Sequence, residues 1–147
     1  MSGIVCALRG GPASQPTLRR AIALAQETGQ EIHFLYVVNL DFLSHTASSR
    51  IQTIEEEMRQ MGEFILLAAQ AQAEQQGVQA HGVVRVGSVG EQIIALCRDV
   101  AAAYVVLGRP QGSAETDVFS TTHLQGFAAT LVEQTGVQVV FSEQETR

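Results

Sequence analysis

Ala103-Tyr104-Val105-Val106-Leu107-Gly108 is a short apolar run ending on a glycine, and Arg109-Pro110-Gln111-Gly112 turns the chain directly after it. A run this short, with no polar alternation, suits a strand buried on both faces, as in a parallel sheet covered by helices. Ser113 to Gln125 and Gly126 follow, and a helical pattern overlaps their end. Open parallel sheets bind ligands at the carboxyl ends of their strands. Gly108 and the loop behind it are therefore the first place to look for chemistry.

The rest of the chain repeats the same unit. Ile4-Val5-Cys6-Ala7-Leu8 is a candidate central strand, broken by Gly10-Gly11-Pro12. Ser14 is placed to cap a helix, Pro16 suits its first turn, and Leu18, Ala21, Ile22 and Ala25 form its inner stripe up to Gly29. Glu31 to Val38 reads as the second strand, and Asn39 to Ser49 as a polar connection. Ser49 and Gln52 have capping-box spacing ahead of a long helix. Its predicted buried stripe is Ile51, Ile54, Met58, Met61, Ile65 and Ala68, with the methionines as core filling. Gly77 ends it, and Val78 to Val86 is the third strand. Ser88 with Glu91 caps the next helix, whose stripe is Ile93, Ile94, Cys97 and Val100. From about Ser120 a last helix turns Leu124, Phe127, Ala128, Leu131 and Val132 inward, and Gly136 closes it. Val137 to Phe141 is the final strand, and Ser142 to Arg147 a polar tail. Strand alternating with helix predicts an α/β fold. It is a five-stranded parallel open sheet with helices on both faces, in one domain of 147 residues.

Composition narrows the function classes. The net charge of -6, with only 9 Lys and Arg and no lysine, argues against nucleic acid as a partner. It also rules out a phosphate loop that ends in Gly-Lys-Ser. No apolar run approaches the roughly 18 residues of a membrane span, so no membrane partner is expected. Met1-Ser2-Gly3 leads straight into a strand, and a cytoplasmic location is the expectation. Cys6 and Cys97 lie in apolar runs far apart and read as buried thiols. The four histidines show no metal-ligand spacing, so no metal site is expected. Arg9 and Arg85 end the strands where a phospho-accepting receiver domain needs acids. The first loop lacks Gly-x-Gly-x-x-Gly for a dinucleotide.

The order of these segments resembles the universal stress protein family. Val5 to Ser14 is similar to that family's first strand and loop, with Ala21-Ile22-Ala23-Leu24-Ala25 behind it. Leu35-Tyr36-Val37-Val38, Gly87 to Ile93, Ala103 to Gly108 and Gln138 to Phe141 match its later strands and turns. Gly108, Gly112 and Gly126 resemble its glycine loop. The second glycine comes one place late, and Phe127 follows the third.

The resemblance implies an adenine-nucleotide-hydrolase-like fold and a site at Ala7, Leu8, Arg9, Val37, Leu107, Gly108, Arg109, Gly112, Gly126 and Phe127. Nucleotide-binding members use an acid after the first strand, open glycine amides, and Gly-Ser or Gly-Thr at the last helix. Here Arg9 replaces the acid, Pro110 removes an amide, and Phe127 replaces the hydroxyl. Glu115 and Asp117 would each repel a triphosphate by about 1 kcal/mol if solvated. The chain is therefore more similar to family members that do not bind ATP, and no cofactor and no ATP turnover are expected. Three alternatives stay open. The chain acts by protein interaction, it is a binding module for ATP, AMP or another small anion held by Arg9 and Arg109, or it is a small hydrolase. By the same resemblance a homodimer is expected, pairing the edge strand Val137 to Phe141 with its copy.

Overall fold

The structure is a computed structural model that describes residues 3–10, 14–40, 48–108 and 121–142; for residues 48, 49 and 121–124 it describes the backbone alone. The elements are β1 (Gly3–Ala7), α1 (Gln15–Thr28), β2 (Glu31–Val38), α2 (Ser48–Gln75), β3 (Ala80–Val86), α3 (Val89–Val100), β4 (Tyr104–Leu107), α4 (Thr121–Thr135) and β5 (Gln138–Phe141). The strands form one parallel sheet in the order β3-β2-β1-β4-β5. The expected architecture is the one observed.

Alternation along each strand builds two cores. Ile4, Cys6, Ile32, Phe34 and Val106 face α1 and α2, where they meet Leu18, Ala21, Leu66, Ala69 and Ala73. Val5, Leu35 and Val105 face α3 and α4, where they meet Ile93, Leu96, Cys97 and Leu131. The chain moves one way along the sheet through β2 and β3, then crosses back to β4. Right-handed crossovers in opposite directions place their helices on opposite faces. Cys6 and Cys97 consequently lie on opposite sides of the sheet as free, buried thiols. Burial pushes the Cys97 thiol up to about 12, and raises Cys6 further still.

Local chemistry accounts for where elements start and stop. Ser88 caps α3 as its spacing predicts, its Oγ accepting from the Glu91 amide at 3.3 Å. Ser14 sits at the cap position of α1, but its Oγ accepts from the Arg9 amide at 3.2 Å and no side-chain cap bond forms. Pro16, at the second helical position, has no N–H to offer. The helix α2 begins at Ser48, which puts Ser49 inside its first turn.

Val78 does not begin β3. Its amide donates to Ala73 O and that of Gly77 to Glu74 O, a Schellman closure with Gly77 at φ 80°. A residue tied to the helix end in this way has no amide left for the sheet.

Two inward stripes need correction. On α2 the buried positions are Gly62, Leu66, Ala69 and Ala73, while Met61 is 57% exposed and Ala68 is exposed. On α4 Leu131 is fully buried, whereas Val132 is 48% exposed; the side chain of Leu124 lies outside the described residues. Ser142 belongs to the fold and not to the tail: it is buried, and its amide donates to Leu107 O at 2.9 Å.

Candidate functional site

The connections that leave the parallel neighbours β1 and β4 run to opposite sides, toward β2 and β5, so the crevice beyond their carboxyl ends is the topological switch point. Of the residues expected there, Ala7, Val37 and Leu107 share the α3–α4 side of the sheet and form an apolar floor with Phe127 and Phe141. Leu8 is buried on the other side. Arg9 is exposed, and Gly108 is exposed at the end of β4. Arg109 and Gly112 lie outside the described residues, as do Pro110, Glu115 and Asp117.

Gly108 has a packing reason to be glycine. A Cβ there would stand 2.5 Å from the Thr17 hydroxyl, in the first turn of α1. That hydroxyl is buried and lies 3.3 Å from Ser142 Oγ, where either group can donate. Thr17 and Ser142 stand 125 residues apart in sequence, and no local pattern connects them.

Gly126 is in the second turn of α4 and does not open the helix; the Thr130 hydroxyl donates to its carbonyl at 3.1 Å. Thr121 and Thr122 occupy the start of the helix instead. Four amides at such a start lack intrahelical acceptors. The hydroxyl residues the resemblance seeks after Gly126 thus stand four and five places before it. Phe127 packs over Gly90, where an added Cβ would be 3.1 Å from its ring, and so serves the core.

A second polar cluster lies at the opposite end of the strands. His33 and His81 are partners across β2 and β3, and their rings stack with centroids 5.1 Å apart. His81 Nε2 meets Glu31 Oε1 at 2.7 Å. Glu31 and His33 border a cleft of about 730 Å³ that runs to Gln30 and Val100. Among the described residues, no group of three or more His, Cys, Asp or Glu side chains is arranged to hold a metal.

Desolvation holds the His33 pKa below the usual imidazole value, the His81 charge lowers it further, and Glu31 opposes both. The unfolded chain therefore takes up this proton more readily than the folded one. The stability His33 contributes is complete above its unfolded value of 6.5 and is lost as pH falls below it, toward the depressed folded value. Urea titrations at pH 7.5 and 5.5 are expected to show this loss, and His33→Gln to make the dependence shallower.

A family model described as Universal stress protein family matches residues 1–140. Among solved structures, the chain is similar to universal stress protein UspA from Lactobacillus plantarum, with TM-score 0.78 and 14% identity over 97% of each chain. A universal stress protein from Archaeoglobus fulgidus in complex with dAMP aligns with TM-score 0.63 and 16% identity, over 97% of this chain and 98% of that one. A structure described as a universal stress protein in complex with cAMP aligns with TM-score 0.68 and 16% identity over 98% of each chain. No curated protein matches the chain. At these identities the structural likeness speaks for the fold.

Proposed function

Since the chain belongs to the universal stress protein family, we propose that it serves a stress response as a cytoplasmic homodimer, acting through contact with another protein and without turning over ATP. The observation that carries this is the end of β4. Gly108 lies beneath Thr17, whose hydroxyl meets that of Ser142, so the missing side chain lets α1 dock on the sheet. An exposed arginine follows β1 where nucleotide-binding members carry an acid, and Gly126 sits within α4, away from its free amides.

The homodimer rests on β5. Among the described residues it is an edge of the sheet, the position from which a strand can pair with a copy of itself. Val137 itself is buried in the α3–α4 core, so pairing falls to Gln138–Phe141. Native mass spectrometry of the purified protein is the direct check; a single monomer mass removes the homodimer.

Millimolar ATP with magnesium is expected to raise the melting temperature by less than about one degree. A ligand well above its Kd must stabilise the folded state, and a shift of several degrees would overturn the interaction reading. A second reading is favoured by the similar structures that hold dAMP and cAMP. In it the apolar floor of Ala7, Val37 and Leu107 takes a base, and Arg9 meets a single phosphate. A melt with AMP separates the two, since only the second reading expects a shift that Arg9→Asp abolishes.

A further inference from the structure

We propose that the outward face of α2 is a docking surface for a basic amphipathic helix of a partner protein. This rests on the interaction reading above and names its surface. Met61, Phe64 and Leu67 are 57%, 74% and 64% exposed, and they are three of the four large hydrophobic residues that stand out among the described residues. Spaced three apart on one helix, they form a ridge about 9 Å long. Exposed Ala68 and Ala71 extend it by another turn. The inner face of the same helix is already satisfied by β2 and β3 through Leu66, Ala69 and Ala73.

Beside the ridge, between α2 and the edge strand β3, lies a groove of about 420 Å³. Leu66, Leu67 and Val84 give it apolar walls, Gln70 packs over Gly82, and Glu63 lines it together with Arg59, whose charge is already paired with Glu55. That lining matches an arginine or lysine side chain, with its stem along Leu67 and its charge at Glu63.

Charge selects the occupant. Glu56, Glu57, Glu63 and Glu74 are exposed around the ridge, and none forms an ion pair with a described residue. The nearby Arg59 is held by Glu55 at 3.2 Å, and the other cation of α2, Arg50, is 14 residues from Phe64. A second copy would bring two acidic rims together. An anionic membrane surface would meet the same repulsion. A helix with apolar residues at three- and four-residue spacing and basic flanks satisfies both ridge and rim.

The test uses the full chain and a fluorescein-labelled synthetic helix of Leu and Lys, roughly 18 residues long so that it folds on contact, read by fluorescence anisotropy. The wild type is expected to bind it. The double variant Phe64→Ser/Leu67→Ser is expected to lose about tenfold or more in affinity. Glu57→Gln/Glu63→Gln is expected to lose several-fold and to flatten the salt dependence. All four side chains are exposed, and circular dichroism with a melt verifies that each variant is folded. Equal affinity in the wild type and the Phe64→Ser/Leu67→Ser variant overturns the proposal, as does equal binding of a peptide with every Lys changed to Glu.

Two further outcomes assign the ridge to another occupant and overturn the proposal as well. One is a change of oligomeric state in Phe64→Ser/Leu67→Ser on sedimentation. The other is cosedimentation of the wild type, but not of that variant, with phosphatidylcholine vesicles. Absence of peptide binding removes this surface and leaves the function proposed above to its own test, the ATP melt.

Discussion

Leu131→Ala is expected to destabilise the protein by about 3 kcal/mol, within the range of about 2–5 kcal/mol for a buried leucine cut to alanine. Leu131 is fully buried against the face of the sheet that carries Val5, Leu35 and Val105, between residues of α3. Elsewhere on α4, Phe127 and Ala128 are half-buried, so Leu131 is the helix's only fully buried anchor among the described side chains. For a chain of this size, the loss corresponds to a fall of about 10 °C in melting temperature. Val132, the next residue, is the control: its 48% exposure predicts a change within about 0.5 kcal/mol for Val132→Ala. Urea titrations of the two variants decide the matter. Equal costs, or a Leu131 cost below about 1 kcal/mol, would mean that α4 docks through another face. The start of α4 borders the candidate site, and its position depends on Leu131 together with Phe127, which packs over Gly90.

Two helical glycines are expected to respond with opposite signs. A Cβ at Gly62 would stand 2.3 Å from Tyr36 Cδ2 and 2.9 Å from Cγ. Tyr36 is a buried ring on β2, with little freedom to withdraw. Overpacking of this kind costs about 1–3 kcal/mol, which exceeds the roughly 1 kcal/mol that alanine gains over glycine in a helix. Gly62→Ala should therefore destabilise, and Gly62→Val should do so more severely. At Gly126 an added Cβ meets nothing within 4 Å, and the backbone is not in the left-handed region. Gly126→Ala should then stabilise by about 0.5–1 kcal/mol. Paired thermal melts read both signs, and a destabilising Gly126→Ala would show that the position has a demand its surroundings do not reveal.

The apolar runs and their breaks were enough to determine the alternation of strand and helix, and with it the two-faced parallel sheet. Glu31–Val38 was legible to the residue, because Ile32, Phe34, Tyr36, Val37 and Val38 favour strands and the run lies between Gly29-Gln30 and a polar connection. The cap at Ser88 was equally plain, since a hydroxyl and a carboxylate three residues apart carry their own local geometry. The expected site was legible only as a place. Ala7, Val37 and Leu107 pack against one core on the α3–α4 side of the sheet, and Arg109 and Gly112 lie outside the described residues.

Tertiary structure decided what local pattern leaves degenerate. From Phe64 to Ala69 every residue of α2 is apolar, and Met58 and Met61 precede them, so the helical period admits more than one stripe. Only the sheet beneath selects Gly62, Leu66 and Ala69 and leaves Met61, Phe64 and Leu67 outside. Gly108 looks in sequence like a glycine kept open for phosphate, yet its neighbour is Thr17, brought there by the folding of α1 onto β4. Spacing along the chain encodes backbone hydrogen bonding over three or four residues. Which side chain fills which gap is set by contacts between segments far apart, and these exist only once the sheet has assembled.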